Sequence, residues 1–202
     1  MPAPVEFVPN LRLFLVRHGE TMWNLAGRYQ GACDSPLSES GIEQAVQCGR
    51  ILAESCDGVD KWLASPLGRA RQTSDLMRSF GSYPPCECDP RLAEVSANAW
   101  DGLTLDEIAE DWPGLLDGAG QFDWYFRSPD GESYDAALAR VISWLSEQSG
   151  TVVAISHGLI GRLIRGAYLR LSKDEALCLP VPQDGIWSMH NGTIDWISTG
   201  SG

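Results

Sequence analysis

The sequence predicts an α/β fold with a three-layer αβα arrangement, in which a mainly parallel sheet lies between two layers of helices. Three short apolar runs predict strands, and each is followed by a segment whose apolar residues recur at helical spacing. Alternation of strands and helices is typical of such a sheet. With 202 residues and an apolar fraction of 44%, the chain can bury one sizeable core, so we expect a single domain over residues 1–202.

The predicted strands are apolar runs that end at polar residues. Residues 11–18 are LRLFLVRH, residues 59–65 are VDKWLAS and residues 151–157 are TVVAISH. Short runs of this kind are typical of strands that are buried on both faces. Ligand sites in open α/β sheets lie at the carboxyl ends of strands, so the polar residues that end these runs are the first candidates for a site.

The helices are predicted from apolar periodicity and from the residues at their ends. In the first helix, apolar residues recur every three or four positions from Ile42 onwards, and Pro36 fits the preceding turn. The third begins at Ser133, a residue type that caps helices, and ends before Gly150, while the second and fourth directly follow strands. The predicted helices span residues 38–53, 67–80, 133–148 and 159–169.

The charge of the chain disfavours two classes of partner. Fifteen basic and 27 acidic residues give a net charge of −12, which disfavours binding to nucleic acid or to an anionic membrane. No apolar stretch approaches the roughly 18 residues of a membrane span, and the N-terminal residues lack the pattern of a signal peptide. The six cysteines are therefore read as reduced thiols. We expect a cytoplasmic protein with no nucleic-acid partner and no membrane partner, and a homodimer stays open.

Three distant parts of the sequence are predicted to meet at the carboxyl ends of the strands. They are Arg17 and His18 after the first strand, Ser65 and Arg69 after the second, and His157 after the last. The planar donor fork of arginine suits phosphate oxygens. Together these residues predict a site for a dianion that needs no metal ion.

Three neighbouring residues refine this prediction. Gly19 is expected to allow a sharp turn after the His18 position, and a helix that starts near Gly158 is expected to offer free amide donors to the anion. Arg71 lies only two residues after the Arg69 position and is an alternative to it.

Six stretches, in order along the chain, resemble the motifs of the histidine phosphatase superfamily, in its phosphoglycerate mutase-like branch. They are LVRHGETMWN, DSPLSESGIEQA, SPLGRARQT, RLAEVSANAWDGLT, PDGES and ISHG, and the resemblance covers about residues 11–160. It implies a metal-independent phosphomonoesterase that hydrolyses a small-molecule phosphate ester through a phosphohistidine, without a cofactor. Two other activities stay open: a phosphoglycerate mutase, and an inactive regulatory module that binds phosphorylated ligands.

The resemblance also implies roles for the matching residues. His18 matches the nucleophile that attacks phosphorus, and Arg17, Arg69 and His157 match groups that bind and stabilise the phosphoryl oxygens. Asn24 matches a further residue of the phosphate pocket.

The acid that protonates the leaving oxygen is matched by Glu94. The sequence departs from the family pattern just beyond it, because Asn98 stands where glycine is usual. Asp101 therefore stays an alternative acid.

Residues 94–132 interrupt the alternation of strands and helices and are expected to form an excursion over the active site. The segment is rich in acidic and aromatic residues, and its aromatic side chains could form either an apolar lid or part of the core. These side chains are Trp112, Trp124, Tyr125 and Phe126. Outside the segment, His190 lies beside a predicted Asn191-Gly192 hairpin turn and is interpreted as structural.

Overall fold

A single six-stranded sheet lies at the centre of the computed structural model, which describes residues 10–120 and 122–198. The strands are Leu11–Arg17 (β1), Lys61–Ala64 (β2), Cys86–Cys88 (β3), Gly150–Ser156 (β4), Gly185–His190 (β5) and Thr193–Ser198 (β6). Their order is β3-β2-β4-β1-β5-β6. The pairs among β1 to β4 are parallel, and β5 and β6 pair antiparallel at one edge. The predicted α/β fold with a mainly parallel sheet is confirmed.

The helices that the sequence predicts are all present, with ends that differ by no more than two residues. The α-helices of the described residues are Met22–Leu25 (α1), Glu39–Ser55 (α2), Gly68–Arg78 (α3), Leu105–Asp111 (α4), Tyr134–Ser146 (α5), Gly158–Leu169 (α6) and Lys173–Leu177 (α7). The predicted four correspond to α2, α3, α5 and α6.

Alternate residues of the strands face opposite layers of helices. On one face, Leu13 of β1 packs in the same cluster as Leu163 of α6. On the other face, Phe14 packs with Leu52 of α2 and Met77 of α3. All five side chains are fully buried, and each such burial stabilises the fold by about 1.5–3 kcal/mol. Because strand side chains alternate in direction, this pattern produces the three-layer arrangement.

Residues 94–132 leave the sheet and form a small apolar cluster of their own. Trp100 is fully buried in this cluster, and Trp112 and Trp124 pack against it partly buried. Phe126 packs instead against the main core beneath the sheet. The segment therefore has packing of its own as well as contact with the core.

The antiparallel edge was predicted only through its turn. Asn191 and Gly192 have φ angles of 50° and 79°, so both residues adopt the left-handed conformation that a tight hairpin favours, and the predicted turn is confirmed. His190 is exposed at the end of β5. The strand β3 has only three residues, which is too short to give a recognisable apolar run.

Two further observations concern the helices and the cysteines. Among the described residues, no helix is both long enough and apolar enough to cross a membrane. All six cysteines lie within these residues, and all have free thiols.

Candidate active site

The structure brings together the residues at the three strand ends. β2, β4 and β1 are neighbours in the sheet, so their carboxyl ends lie side by side. The ring centroids of His18 and His157 are 5.1 Å apart. Arg69 donates from Nε to Nε2 of His18 at 3.3 Å, and Ser65 Oγ lies 2.7 Å from Nε2 of His157.

Hydrogen bonds fix the imidazole of His18 in one tautomer. Nδ1 lies 2.8 Å from the carbonyl oxygen of Gly19, which can only accept, so Nδ1 carries the ring proton. Nε2 then carries no proton, and its lone pair accepts a hydrogen bond from Arg69. Burial, together with the charges of Arg69 and Arg17, lowers the pKa of His18 well below 6.5. The ring is therefore neutral at neutral pH, as a nucleophilic imidazole must be.

Gly19 is required for close packing rather than for a sharp turn. Its φ is outside the left-handed region, which corrects the prediction from the sequence. A Cβ on Gly19 would lie 2.2 Å from the carbonyl oxygen of Gly41, and a Cβ on Gly41 would lie 2.0 Å from that of Glu20. On the opposite side, Thr73 Oγ1 accepts from the Gly19 N–H at 3.1 Å. The loop that carries the His18 side chain is thus held between α2 and α3.

Arg69 is almost completely buried, and besides Nε2 of His18 three oxygen acceptors hold its guanidinium. Nη1 donates to the carbonyl oxygen of Cys33 at 2.6 Å and to Oδ1 of Asp34 at 2.9 Å. Nη2 donates to the carbonyl oxygen of Gly31 at 2.9 Å. Arg71, by contrast, is exposed on α3. The structure therefore favours Arg69 over Arg71 as the second arginine of the site.

Arg17 lies beside the nucleophile with part of its guanidinium free. Nη1 donates to the carbonyl oxygen of Val181 at 2.6 Å, while Nε is buried without a partner among the described residues. Burial lowers the pKa of Arg17 to about 10, although the nearby charge of Glu94 opposes this shift. The side chain therefore stays charged at neutral pH.

The side-chain oxygen of Asn24 accepts from the Thr21 N–H at 3.1 Å, which leaves the side-chain nitrogen of Asn24 for a ligand.

The carboxylate of Glu94 lies at the first turn of α6. Oε2 accepts from the Leu159 N–H at 3.0 Å, and Oε1 accepts from the Ile160 N–H at 3.2 Å. Backbone amides in the first turn of a helix lack intrahelical partners, so they are available to an acidic side chain. The sequence predicted that amides at this helix start would be free to bind phosphate. For the amides of Leu159 and Ile160 that prediction is wrong, because Glu94 occupies both.

His157 lies beside His18, but it is not among the residues that line the cavity of about 560 Å³ in front of His18. Its Nε2 is engaged with Ser65 Oγ, and its Nδ1 is buried without a partner among the described residues. Burial, followed by the positive charge of Arg69, lowers the pKa of His157 well below 6.5. Contact between His157 and a phosphate group stays a prediction.

Asp101 also lies outside the cavity wall. Its Oδ2 accepts from the Ala32 N–H at 3.1 Å, and so it braces the loop whose carbonyl groups hold Arg69. Burial raises the pKa of Asp101. Of the two alternative acids, only Glu94 lines the cavity, and the geometry therefore favours Glu94.

A cavity of about 560 Å³ lies in front of His18, which is a size suited to a small-molecule ligand. Aromatic side chains from the segment 94–132 form one of its walls. Neither Trp112 nor Phe126 takes part in that wall. The main side chains around the cavity are Arg17, His18, Asn24, Arg28, Tyr29, Arg69, Glu94, Phe122, Trp124, Tyr125 and Arg162.

Sequence reasoning missed Arg162, although a signal for it was present. In a helix that begins near residue 158, Arg162 lies one turn after Gly158 and therefore on the same face, and both residues line the cavity. Arg28 and Tyr29 gave no such signal, because they lie in an irregular loop after α1. Tertiary hydrogen bonds bring that loop to the cavity, including one from the Tyr29 N–H to the carbonyl oxygen of Leu103 at 2.9 Å.

The polar groups around the cavity are mainly N–H donors, which suit an anion. Among the described residues, guanidinium and amide donors outnumber the one carboxylate in the cavity wall, that of Glu94. Among the described residues, no group of three or more His, Cys, Asp or Glu side chains is placed to hold a metal ion.

The chain matches a known family and a known protein over most of its length. The family model of the histidine phosphatase superfamily (branch 1) matches residues 13–193. A protein of Erwinia tasmaniensis named "Probable phosphoglycerate mutase GpmB" is 30% identical over 203 residues, which cover 94% of this chain and 89% of that protein.

Solved structures are similar over nearly the whole chain. Bacillus stearothermophilus YhfR has a TM-score of 0.77 and 28% identity, with 94% of this chain and 96% of that chain covered. The mycobacterial glucosyl-3-phosphoglycerate phosphatase, solved as a complex with VO3, has a TM-score of 0.69 and 27% identity, with 92% and 96% covered.

Proposed function

The chain belongs to the histidine phosphatase superfamily (branch 1), and from this premise we propose that it hydrolyses small-molecule phosphate monoesters through a phosphohistidine at His18. Membership of this family supports an enzyme of the phosphatase or mutase type. The observation that carries the finer proposal is the buried, neutral imidazole of His18, whose proton is held on Nδ1 and whose Nε2 lone pair lies beside Arg69 at the cavity.

In the first step, Nε2 of His18 attacks phosphorus in line with the ester oxygen. The N–P bond forms as the P–O bond to the alcohol breaks, and the phosphoryl charge is stabilised by Arg17 and Arg69. A proton from the carboxyl group of Glu94 passes to the leaving oxygen, which therefore departs as a hydroxyl group and not as an alkoxide. The carboxyl group must be protonated when the ester is bound, and it is left as a carboxylate.

In the second step, that carboxylate takes a proton from a water molecule. The water oxygen attacks phosphorus, the N–P bond breaks, and inorganic phosphate leaves. Nε2 of His18 regains its lone pair, and the free enzyme is restored. The two steps consume only the ester and one water molecule, and the groups that take part are side chains at the cavity.

A phosphoglycerate mutase is the second candidate, and the name of the Erwinia tasmaniensis relative favours it. In a mutase, the phosphohistidine must be shielded from water until the phosphoryl group returns to an acceptor. Within the described residues, α7, β5 and β6 lead the chain to the far edge of the sheet, and from residues 170–198 only Val181 lines the cavity. Because this part of the chain does not cover the cavity, water can reach the phosphohistidine, and hydrolysis is favoured.

The proposal is tested by trapping the phosphoenzyme. Brief exposure to a ³²P-labelled ester should leave an acid-labile, base-stable label on the wild type, and His18→Ala should abolish both label and turnover. His190→Ala is the matched control, because that histidine is exposed at the far hairpin. A His18→Ala protein that still labels on the same peptide would exclude His18 as the nucleophile.

The fate of the phosphoryl group separates the candidates. A phosphatase releases inorganic phosphate from several esters without an added bisphosphoglycerate. A mutase converts 3-phosphoglycerate into its isomer and depends on the bisphosphate. An inactive binding module neither labels nor turns over any ester, including para-nitrophenyl phosphate.

We also propose the cytoplasm as the site of this activity, in keeping with the free thiols.

A further inference from the structure

Arg162 is a buried cation in the cavity wall that forms no salt bridge among the described residues, although the charge of Glu94 acts on it from the same wall. It is only 7% exposed, and among the described residues no carboxylate oxygen lies within 4.0 Å of it. Its Nε donates to the carbonyl oxygen of Leu179 at 2.6 Å, whereas its Nη atoms make no hydrogen bond to a described residue. Buried arginines are normally paired, because removal of an unpaired charge from water is costly.

The packing of Arg162 leaves these donors available. The guanidinium carbon lies 3.7 Å from the centroid of the Phe122 ring, so the planar group stacks on the aromatic face. Stacking holds the plane of the guanidinium without using its N–H groups. With Nε anchored and the plane fixed, the Nη edge is preorganised for a ligand in the cavity.

The other arginines of the cavity are accounted for. Arg28 forms a bidentate pair with Glu107 at 2.8 and 3.0 Å, and Arg69 pairs with Asp34 at 2.9 Å. Arg17 has no carboxylate partner, but it lies beside the nucleophile, where the phosphoryl group binds. Arg162 therefore remains as a second positive group in the wall of the same cavity.

The helix α6 carries Arg162 and packs against Arg17. Gly158, at the start of α6, lies against Arg17, since a Cβ there would be 3.5 Å from Arg17 Nε. Arg162 follows four residues later on the same face, so its backbone lies about 6 Å along the helix axis from that of Gly158. That spacing is short enough for one small molecule to contact both arginines.

We propose that Arg162 determines specificity by binding a second anionic group, a carboxylate or a second phosphate, on the alcohol part of the ester. The inference rests on the proposed phosphatase function and names the class of ester that it acts on. When an ester of an uncharged alcohol binds, the buried guanidinium of Arg162 stays unpaired. When the alcohol part carries a second anion, that anion neutralises the charge of Arg162. Selection arises in binding, so the second anion lowers KM more than it raises kcat.

Matched pairs of esters test the proposal. 3-Phosphoglycerate and glycerol 3-phosphate differ by a carboxylate in place of a hydroxymethyl group, and fructose 1,6-bisphosphate and fructose 6-phosphate differ by a second phosphate. The wild type should favour the acidic member of at least one pair in kcat/KM by about tenfold or more. Which pair shows the preference identifies the second anion.

Variants then assign that preference to Arg162. Arg162→Gln should reduce the preference by about tenfold, mainly through KM, whereas Arg71→Gln, which removes an exposed arginine, should keep it. Arg162→Lys keeps the charge but loses the fork, so it should retain part of the preference. It also serves as the test if the glutamine variant does not fold.

Two results would overturn the inference. One is a wild type that hydrolyses both members of each pair equally, and the other is an Arg162 variant that loses rate equally on both. Failure of the proposed function looks different, because then the wild type would hydrolyse neither these esters nor para-nitrophenyl phosphate.

Discussion

Gly41→Ala tests whether the loop after β1 must lie against α2 for the nucleophile to work. The new Cβ would lie 2.0 Å from the carbonyl oxygen of Glu20, where ordinary contact begins near 3.4 Å, so the loop must retreat by about 1.4 Å. It cannot do so freely. The Gly19 N–H is bound to Thr73, and the carbonyl oxygen of His18 accepts from Gln183 Nε2 at 2.9 Å.

The expected magnitudes follow from this displacement. A shift of about 1 Å in a catalytic group can cost about a hundredfold in rate, so we expect kcat/KM of Gly41→Ala to fall by about that factor. Overpacking of this kind lowers the free energy of unfolding by about 1–3 kcal/mol. For a chain of this size, each kcal/mol corresponds to a decrease in Tm of about 2–4 °C.

The assay compares two alanine variants of helical glycines. A Cβ on Gly161, in α6, would meet no heavy atom of the described residues within 4 Å outside the adjoining backbone of its own helix. Gly161→Ala should therefore keep the wild-type kcat/KM on para-nitrophenyl phosphate, and its helix propensity should raise the free energy of unfolding by up to about 1 kcal/mol. If Gly41→Ala keeps the wild-type kcat/KM, or if both variants lose activity equally, the steric argument is refuted.

Two further predictions concern titratable groups. Because the folded-state pKa values of His18 and His157 lie below their ordinary value of 6.5, their contribution to stability is complete above that pH. This contribution is lost as the pH falls, by up to about 1.4 kcal/mol per pH unit for each histidine. When the free energy of unfolding is measured in urea between about pH 7.5 and 5.5, it should therefore decrease less steeply with falling pH for His157→Gln than for the wild type. Glu94→Gln should slow the burst of phosphoenzyme formation by about a hundredfold with a sugar phosphate but only slightly with para-nitrophenyl phosphate, whose leaving group scarcely needs a proton. The same selective loss in Asp101→Asn, and not in Glu94→Gln, would transfer the acid role.

The elements that carry the site could be predicted because their signals are local. Leu11–Arg17 and Gly150–Ser156 are apolar runs, and helices with clear periodicity follow two of the buried strands. The rule that parallel strands end at one edge then placed His18 and His157 together. Cys86–Cys88 and the two antiparallel strands lacked such signals, since they are short or only partly buried.

The rest of the site depends on contacts between distant segments, which no local pattern encodes. The closeness of Gly19 to Gly41 is a contact between two backbones, and the sequence shows only two glycines. Likewise, the start of α6 was predicted at the correct place. The group that accepts from its amides, however, depends on which distant segment of the chain packs against it. The structure places Glu94 there, where the sequence suggested a ligand.

The two candidate acids show how the fold divides one residue type between two tasks. Glu94 has no cation within ion-pair distance among the described residues, although arginines line its cavity, and its partners are backbone amides. No salt bridge therefore has to break when its proton moves, and the amides remain to stabilise the carboxylate that results. Asp101 instead braces the loop whose carbonyl groups hold Arg69, so its loss should disturb the arginine whatever the leaving group. Dependence on the leaving group thus distinguishes an acid from a brace, even where both substitutions lower the rate.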